Sequence, residues 1–213
     1  MRFADRTDAG RQLALALAEL DLDDPVVLAL PRGGVPVAIE VARALKAPLD
    51  LVMVRKIGLP EQPEVALAAV VDGARPDLEV NEGIARHAGY DRLDIVKLAE
   101  PALAEIARRR AAYLAGRDPV PLGGRTAIIV DDGIATGATV RVALRSVRKQ
   151  NPARLVLAVP VASPEALEAL APLADDVICL LQPSHFIAVG AHYAVFDQVE
   201  DDRVIALLAA AAG

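Results

Sequence analysis

The most regular feature of the chain is a series of short apolar runs, separated by stretches in which apolar residues recur every three or four positions. The runs do not alternate with polar residues, which is typical of strands buried on both faces of a sheet. We therefore predict strands at residues 26–30, 49–55, 65–71, 126–131, 155–161 and 177–181.

The stretches between these runs predict helices. Leu13, Leu17 and Leu20 would share one face of a helix over residues 9–20. Similar spacing predicts helices over 35–45 and 139–149, and Ser163 followed by Pro164 predicts the start of a short helix that includes residues 166–170. Alternation of strands and helices predicts an α/β fold, a doubly wound and mostly parallel sheet with helices on both faces.

Two segments interrupt this alternation. Residues 72–124 are too long for a loop and show helical spacing, and we predict that a second helix of this segment starts at Pro101. Residues 182–200 hold half of the aromatic side chains, and we expect them to form a cap instead of a strand. No linker separates these segments from the rest, so a single domain over residues 1–213 is expected.

Composition narrows the possible classes of protein. The 213 residues are 54% hydrophobic and only 3% aromatic, which predicts an aliphatic core and excludes a disordered chain. The net charge of −6 argues against partners that are nucleic acids or anionic membranes. The apolar runs are much shorter than the roughly 20 residues of a membrane span, and we expect a cytoplasmic protein. The only cysteine, Cys179, cannot form an internal disulfide.

The strongest chemical signal lies at the end of the predicted strand 126–131. Asp131 and Asp132 are followed by a small-residue loop, Ala135 to Thr139, that leads into a predicted helix. Backbone N–H groups of such a loop and the helix dipole favour an anion, and ligands of α/β sheets bind where strands end. The carboxylates would repel a phosphate but suit hydroxyl donors or a cation beside it, as a ribose 5-phosphate would present.

Two further segments carry candidate chemistry. Pro31-Arg32-Gly33-Gly34 follows the first strand, where glycine N–H groups and a forked guanidinium could hold a diphosphate; the alternative is a turn with a solvated arginine. Arg55 and Lys56 precede a segment punctuated by Gly58, Pro60 and Pro63, which we expect to interrupt any regular strand or helix. We predict a mobile loop over residues 55–64 that closes over a ligand; the alternative is a surface hairpin.

The segment around Asp131 and Asp132 resembles the 5-phosphoribosyl-1-pyrophosphate (PRPP) signature of the type I phosphoribosyltransferases. The resemblance implies that these two carboxylates hold the ribose hydroxyls. It also implies that the 5-phosphate is bound by Ala135, Thr136, Gly137, Ala138 and Thr139. Gly133 stands where the family has an apolar residue, and we expect it to loosen the turn.

The Arg32 segment is similar to the diphosphate loop of the same family, which implies a cis peptide bond between Pro31 and Arg32. Diphosphate would then contact Arg32, Gly33 and Gly34. Residues 55–64 correspond to the catalytic loop of the family, and the sequence does not decide which of Arg55 and Lys56 faces the diphosphate. The resemblance implies that Arg32 and Lys56, together with Mg²⁺, neutralise the departing diphosphate.

The chain as a whole resembles a bacterial branch of the family. By this resemblance, residues 72–124 and 182–200 would build a hood over the acceptor base. Phe186 or Tyr193 could stack on the base, or both could belong to the core of the hood. Arg108, Arg109 and Arg110 would lie on an exposed helix face or in a subunit interface.

The function implied is a phosphoribosyltransferase of nucleotide metabolism that transfers ribose 5-phosphate from PRPP to a purine or pyrimidine base. The expected cofactor is Mg²⁺, held by PRPP and water and not by a dedicated set of protein ligands. We expect a homo-oligomer, first of all a dimer. Two alternatives are a PRPP or nucleotide sensor without catalysis and a hydrolase that acts on a ribose phosphate.

Overall fold

A computed structural model describes residues 2–72 and 77–211. The strands are β1 (Pro25–Ala29), β2 (Leu49–Leu51), β3 (Val54–Leu59), β4 (Gln62–Val71), β5 (Asp77–Val80), β6 (Thr126–Val130), β7 (Arg154–Val161) and β8 (Asp176–Leu181). The helices are α1 (Arg6–Ala18), α2 (Gly34–Leu45), α3 (Glu82–Ala88), α4 (Arg92–Leu114), α5 (Ala138–Arg148), α6 (Pro164–Leu170) and α7 (Asp201–Ala211). Among these helices, none is long and apolar enough to cross a membrane.

The main sheet has the order β2-β1-β6-β7-β8, and every pair in it is parallel. Val27 and Ala29 of β1 pack in one core cluster with α1, α2 and α7, while Val26 and Leu28 pack on the other face with α5 and α6. Apolar side chains are therefore needed at every position of the strand, as its unbroken hydrophobic run indicates. The prediction of a doubly wound α/β fold is confirmed.

The predicted strand 49–55 is wrong, because the chain leaves the main sheet within it. β2 ends at Leu51, and Val54 begins β3 in a second, antiparallel sheet of order β3-β4-β5. The predicted strand 65–71 is part of β4 in this second sheet. A continuous apolar run shows that a segment is buried, but not which sheet it joins.

Residues 55–64 form a hairpin, the alternative that the sequence left open, and Gly58 and Pro63 lie within its two strands, so the expectation that they prevent a strand is wrong. β3 and β4 form a hairpin that turns at Pro60 and Glu61, and the strand register shifts on both sides of Gly58. This irregularity accommodates Pro63, because a bulged residue does not have to donate a ladder hydrogen bond. Any Cβ at Gly58 would collide with the Pro63 carbonyl group.

The segment between the two sheets is helical, as predicted, but Pro101 lies inside α4 and not at a helix start. The start signal is a capping box, in which the Asp91 and Asp94 carboxylates each accept from the other residue's N–H. Pro101 removes one helical hydrogen bond, while buried residues on both sides, such as Ala99 and Ile106, keep the helix packed.

The sequence suggested that Arg110 on α4 lies on an exposed helix face. The structure shows instead that its side chain is mostly buried. Its guanidinium donates to Asp50 at 2.7 Å and to Asp72 at 2.6 Å, and the three side chains are 14%, 6% and 4% exposed. This cluster fastens α4 to the point where the chain passes from the main sheet to the second sheet. Arg108, in contrast, is exposed, as expected.

After β8, residues 182–200 run across the domain without joining a sheet, apart from one bridge between Phe3 and Tyr193. The Phe3 N–H donates to the His192 carbonyl, and the Ala194 N–H donates to the Phe3 carbonyl. The C-terminal segment is thereby fastened to the residues that precede α1. This arrangement brings the start of α1 to the edge of the sheet where β1 and β6 end.

Candidate active site

The two strongest sequence motifs meet at one edge of the main sheet. β1 and β6 are neighbours, with Ala29 paired to Val130, and the Leu30 N–H donates to the Val130 carbonyl at 2.9 Å. The Arg32 loop and the acidic pair therefore follow directly from adjacent strand ends. This is the edge at which ligands bind in parallel α/β sheets.

Gly33 and Gly34 allow this close approach. Any Cβ at Gly33 would collide with the Asp132 carboxylate, and one at Gly34 would lie 2.7 Å from the Val130 carbonyl oxygen. The Pro31–Arg32 peptide bond is cis, as the resemblance implied. The two glycines thus have a packing role that sequence reasoning did not assign to them.

The acidic pair is largely enclosed. Burial raises the pKa of Asp131 well above its usual range, and the neighbouring charge of Asp132 raises it further. Burial also raises the pKa of Asp132, although a hydrogen bond from Arg6 opposes that shift. The Asp132 N–H donates to Asp131 Oδ1 at 2.9 Å, which fixes the Asp131 carboxylate against the backbone of the next residue.

Arg6, on the first turn of α1, is the part of this site that the sequence did not reveal. Its Nε donates to Asp132 Oδ2 at 2.8 Å, and its NH1 group donates to the Asp197 carbonyl at 2.8 Å. The guanidinium carbon lies 3.8 Å from the centre of the Phe196 ring. No local motif marks Arg6, because its partner is 126 residues away.

Arg32 points toward the start of α7. Its NH1 group lies 3.0 Å from a Glu200 carboxylate oxygen and 3.6 Å from one of Asp201. Arg6, Arg32, Gly33 and Asp132 all line one pocket of about 390 Å³. An anion could bind in this pocket by taking the place of the carboxylates that now pair with the two guanidinium groups.

The predicted phosphate loop is open to solvent on one side. Ala135, Thr136, Ala138 and Thr139 are exposed, while Gly137, with φ of 73°, turns the chain into α5. From behind, the Ser163 hydroxyl donates to the Ala135 carbonyl at 2.7 Å. The loop is therefore supported by the protein and accessible from outside, as an anion site requires.

From the sequence we expected Gly133 to loosen the turn. In the structure, Gly133 is instead tightly packed. A Cβ there would lie 2.5 Å from a Val189 methyl group and 2.9 Å from one of Val161. An apolar side chain at this position would occupy the space that Val189 fills. The C-terminal segment can approach the acidic pair because Gly133 has no side chain.

The basic residues of the hairpin contact other groups. Lys56 Nζ donates to the Glu64 carbonyl at 2.8 Å, and Arg55 lies 3.6 Å from Glu105 on α4. Among the described residues, the ion pairs of Arg55 and Lys56 do not include Asp131 or Asp132. Either cation would have to leave these partners to bind a ligand there.

The two aromatic candidates differ in exposure. Tyr193 is 1% exposed, packs on Phe3 and Phe196, and donates its hydroxyl to the Asp132 carbonyl. Phe186 is half-buried and stacks on His192, with 5.8 Å between the ring centres. Tyr193 thus belongs to a small core, whereas Phe186 keeps some accessible surface.

The family model of the phosphoribosyl transferase domain matches residues 6–194. This chain belongs to the phosphoribosyl transferase family. Proteins from two Mycobacterium tuberculosis strains that carry the provisional name phosphoribosyl transferase are each 47% identical to it over 207 residues. The match covers 97% of this chain but 46% of each relative, so the chain spans less than half of their length.

Solved structures agree with this fold. TT1426 from Thermus thermophilus is 46% identical, with a TM-score of 0.86 and complete coverage of both chains. A Neisseria gonorrhoeae protein solved with bound ppGpp has a TM-score of 0.51 at 14% identity, over 99% of this chain and 98% of its own. The second likeness concerns the fold alone.

Proposed function

We propose that this chain transfers ribose 5-phosphate from PRPP to a ring nitrogen of a purine or pyrimidine base and releases diphosphate. One observation carries the proposal. The enclosed pair Asp131 and Asp132 lies between an open small-residue loop at the start of α5 and the Arg32 loop. PRPP has the same order of groups, with ribose hydroxyls between a phosphate and a diphosphate.

Each part of PRPP would then have a protein partner. Asp131 and Asp132 would accept hydrogen bonds from the ribose hydroxyls, because ionised carboxylates act only as acceptors. Backbone N–H groups of the loop from Ala135 to Thr139 would bind the 5-phosphate, with hydroxyl donors from Thr136 and Thr139.

The transfer step follows from these positions. A nitrogen lone pair of the base attacks C1 of the ribose, the bond from C1 to the diphosphate oxygen breaks, and its electron pair leaves with diphosphate. The base releases one ring N–H proton to solvent. Positive charge that develops on the ribose would be stabilised by Asp131 and Asp132. Negative charge on the diphosphate would be neutralised by Arg32, together with N–H groups of Gly33 and Gly34 and with Arg55 or Lys56 after movement of the hairpin.

The donor set fits Mg²⁺ only if the ion arrives with the substrate. The described residues contain no group of three or more His, Cys, Asp or Glu side chains suited to a metal ion, and Arg6 already binds one oxygen of Asp132. Mg²⁺ keeps several of its waters and can be held by substrate phosphates. When bound through the diphosphate and water, it would supply positive charge to the diphosphate.

The hood remains part of this proposal. Residues 72–124 and 182–200 would cover the acceptor base, and we assign the stacking contact to Phe186 because Tyr193 is enclosed. A homodimer and a cytoplasmic location also remain predictions, which sedimentation analysis and cell fractionation would test.

The decisive assay follows diphosphate release from PRPP and Mg²⁺ with and without a panel of purine and pyrimidine bases. Release that needs a base supports the transferase, whereas release without a base would indicate a hydrolase. PRPP binding without release would indicate a sensor.

Asp131→Asn and Asp132→Asn should each weaken PRPP binding or turnover about tenfold to a hundredfold, since a charge-assisted hydrogen bond contributes roughly 1.5–3 kcal/mol. Asp118→Asn, at an exposed position outside the site, is the matched control and should behave as wild type. Wild-type affinity and turnover in both site variants would contradict the assignment of the acidic pair.

A further inference from the structure

We propose that Arg6 is a positioning residue of this site, which orients the Asp132 carboxylate and compensates its charge so that it can receive the ribose of PRPP. The proposal deepens the proposed function and rests on it. Arg6 lies outside the three sequence motifs of the site, and it enters the site only through the fold.

The geometry of Arg6 is that of a fixed side chain. Three contacts hold it at once: Nε on Asp132 Oδ2, NH1 on the Asp197 carbonyl, and its flat face on Phe196. The side chain is only 12% exposed. A planar guanidinium can make these three contacts together, whereas a lysine ammonium cannot.

Asp132 is held from several sides by these neighbours. Arg6 binds Oδ2, Gly33 packs against the carboxylate, and the Tyr193 hydroxyl binds the Asp132 carbonyl. The hydrogen bond from Arg6 fixes Oδ2 and so sets the orientation of the carboxylate that an incoming ribose hydroxyl would meet.

The charge of Arg6 matters because two carboxylates are adjacent and enclosed. Four groups that can carry charge face Asp132: Arg6 from α1, Asp131 from its own loop, Tyr193 from the C-terminal segment and Arg32 from the β1–α2 loop. Arg32 is turned toward Glu200 and Asp201, so Arg6 is the cation that binds Asp132. Without Arg6, Asp131 and Asp132 would more readily share a proton.

The test is the pH dependence of binding of PRPP with Mg²⁺, measured by calorimetry. Arg6→Gln should move the acid limb of the affinity profile to higher pH, because a neutral side chain no longer opposes protonation of Asp132. At pH values below the limb, each pH unit by which the limb is displaced weakens PRPP binding about tenfold relative to wild type. Arg6→Lys should leave the limb near its wild-type position but bind PRPP more weakly at every pH, since it restores charge without the fixed geometry.

Arg11→Gln is the matched control, because Arg11 lies on the same helix, is 69% exposed and pairs with Glu40 instead of the site. Arg11→Gln should leave both the pH profile of PRPP binding and the melting temperature near wild type. Because PRPP itself titrates equally with every variant, this control also shows how much of the profile comes from PRPP. If Arg6→Gln keeps the wild-type acid limb, Arg6 merely fastens α1 and the inference is overturned while the proposed function stands. If the wild-type protein binds no PRPP at any pH, the proposed function fails and the inference fails with it.

Discussion

Replacing Arg110 with Met should destabilise the protein strongly without touching the proposed active site. Met retains an apolar stem but leaves Asp50 and Asp72 buried without their shared guanidinium. Removing one partner of a buried ion pair costs about 3–5 kcal/mol. In a domain of this size, each kcal/mol lowers the melting temperature by about 2–4 °C, so we expect a decrease of about 6–20 °C in calorimetric melting.

The loss of stability in Arg110→Met should depend on pH. Burial raises the pKa of Asp72, although hydrogen bonds from the Met53 N–H and from Arg110 oppose this shift. A carboxyl group whose pKa is raised by folding stabilises the folded state below its unfolded pKa, and this contribution disappears as the pH rises through the folded pKa. In Arg110→Met the pKa of Asp72 should rise further, so the difference from wild type should be largest at neutral pH and smaller in acid.

Arg108→Met is the control for this prediction. Arg108 lies on the same helix, is 63% exposed and pairs with Glu105 three residues away. Exposed pairs of this kind contribute about 0–1 kcal/mol. Equal melting temperatures for the two variants, or a loss in Arg110→Met that does not change with pH, would refute the view that Arg110 compensates buried carboxylates.

Two further variants test the surroundings of the acidic pair. Glu200→Gln should tighten PRPP binding several-fold in calorimetry, because Arg32 would no longer have to give up an ionised partner to bind diphosphate. An unchanged Kd would show that Glu200 does not compete with diphosphate for Arg32. Gly133→Ala should lower the free energy of unfolding, measured in urea, by about 1–3 kcal/mol, because the alanine Cβ would collide with Val189. Unchanged stability would mean that the C-terminal segment moves aside freely.

The sequence predicted the main sheet well because local composition carries that information. Buried parallel strands need apolar residues at every position, and the ends of such strands mark where loops can bind ligands. For this reason, the sequence could place two separate motifs, the Arg32 loop and the pair Asp131 and Asp132, at the ligand-binding edge of the sheet. Because Ala29 pairs with Val130, the two motifs are neighbours at that edge.

The errors have physical reasons as well. Val52 and Met53 are buried although they lie between two sheets, so hydrophobicity continues where the strand does not. Pro101 signals a helix start in isolation, but the capping box at Asp91 and the packing of α4 outweigh it. Arg110 reads as a surface charge within a run of three arginines, and only the fold reveals its partners.

Both cations of the site are already paired with carboxylates before any ligand binds, and this affects the affinity for PRPP. Asp132 is paired with Arg6, and Arg32 with Glu200 and Asp201. PRPP would have to replace some of these ion pairs with its own hydroxyls and diphosphate, so its binding free energy is the difference between the new interactions and those they displace. Diphosphate carries more negative charge than one carboxylate, and this excess would favour its exchange for Glu200. Residues that never touch PRPP, such as Arg6 and Glu200, should therefore influence its affinity alongside the residues that do.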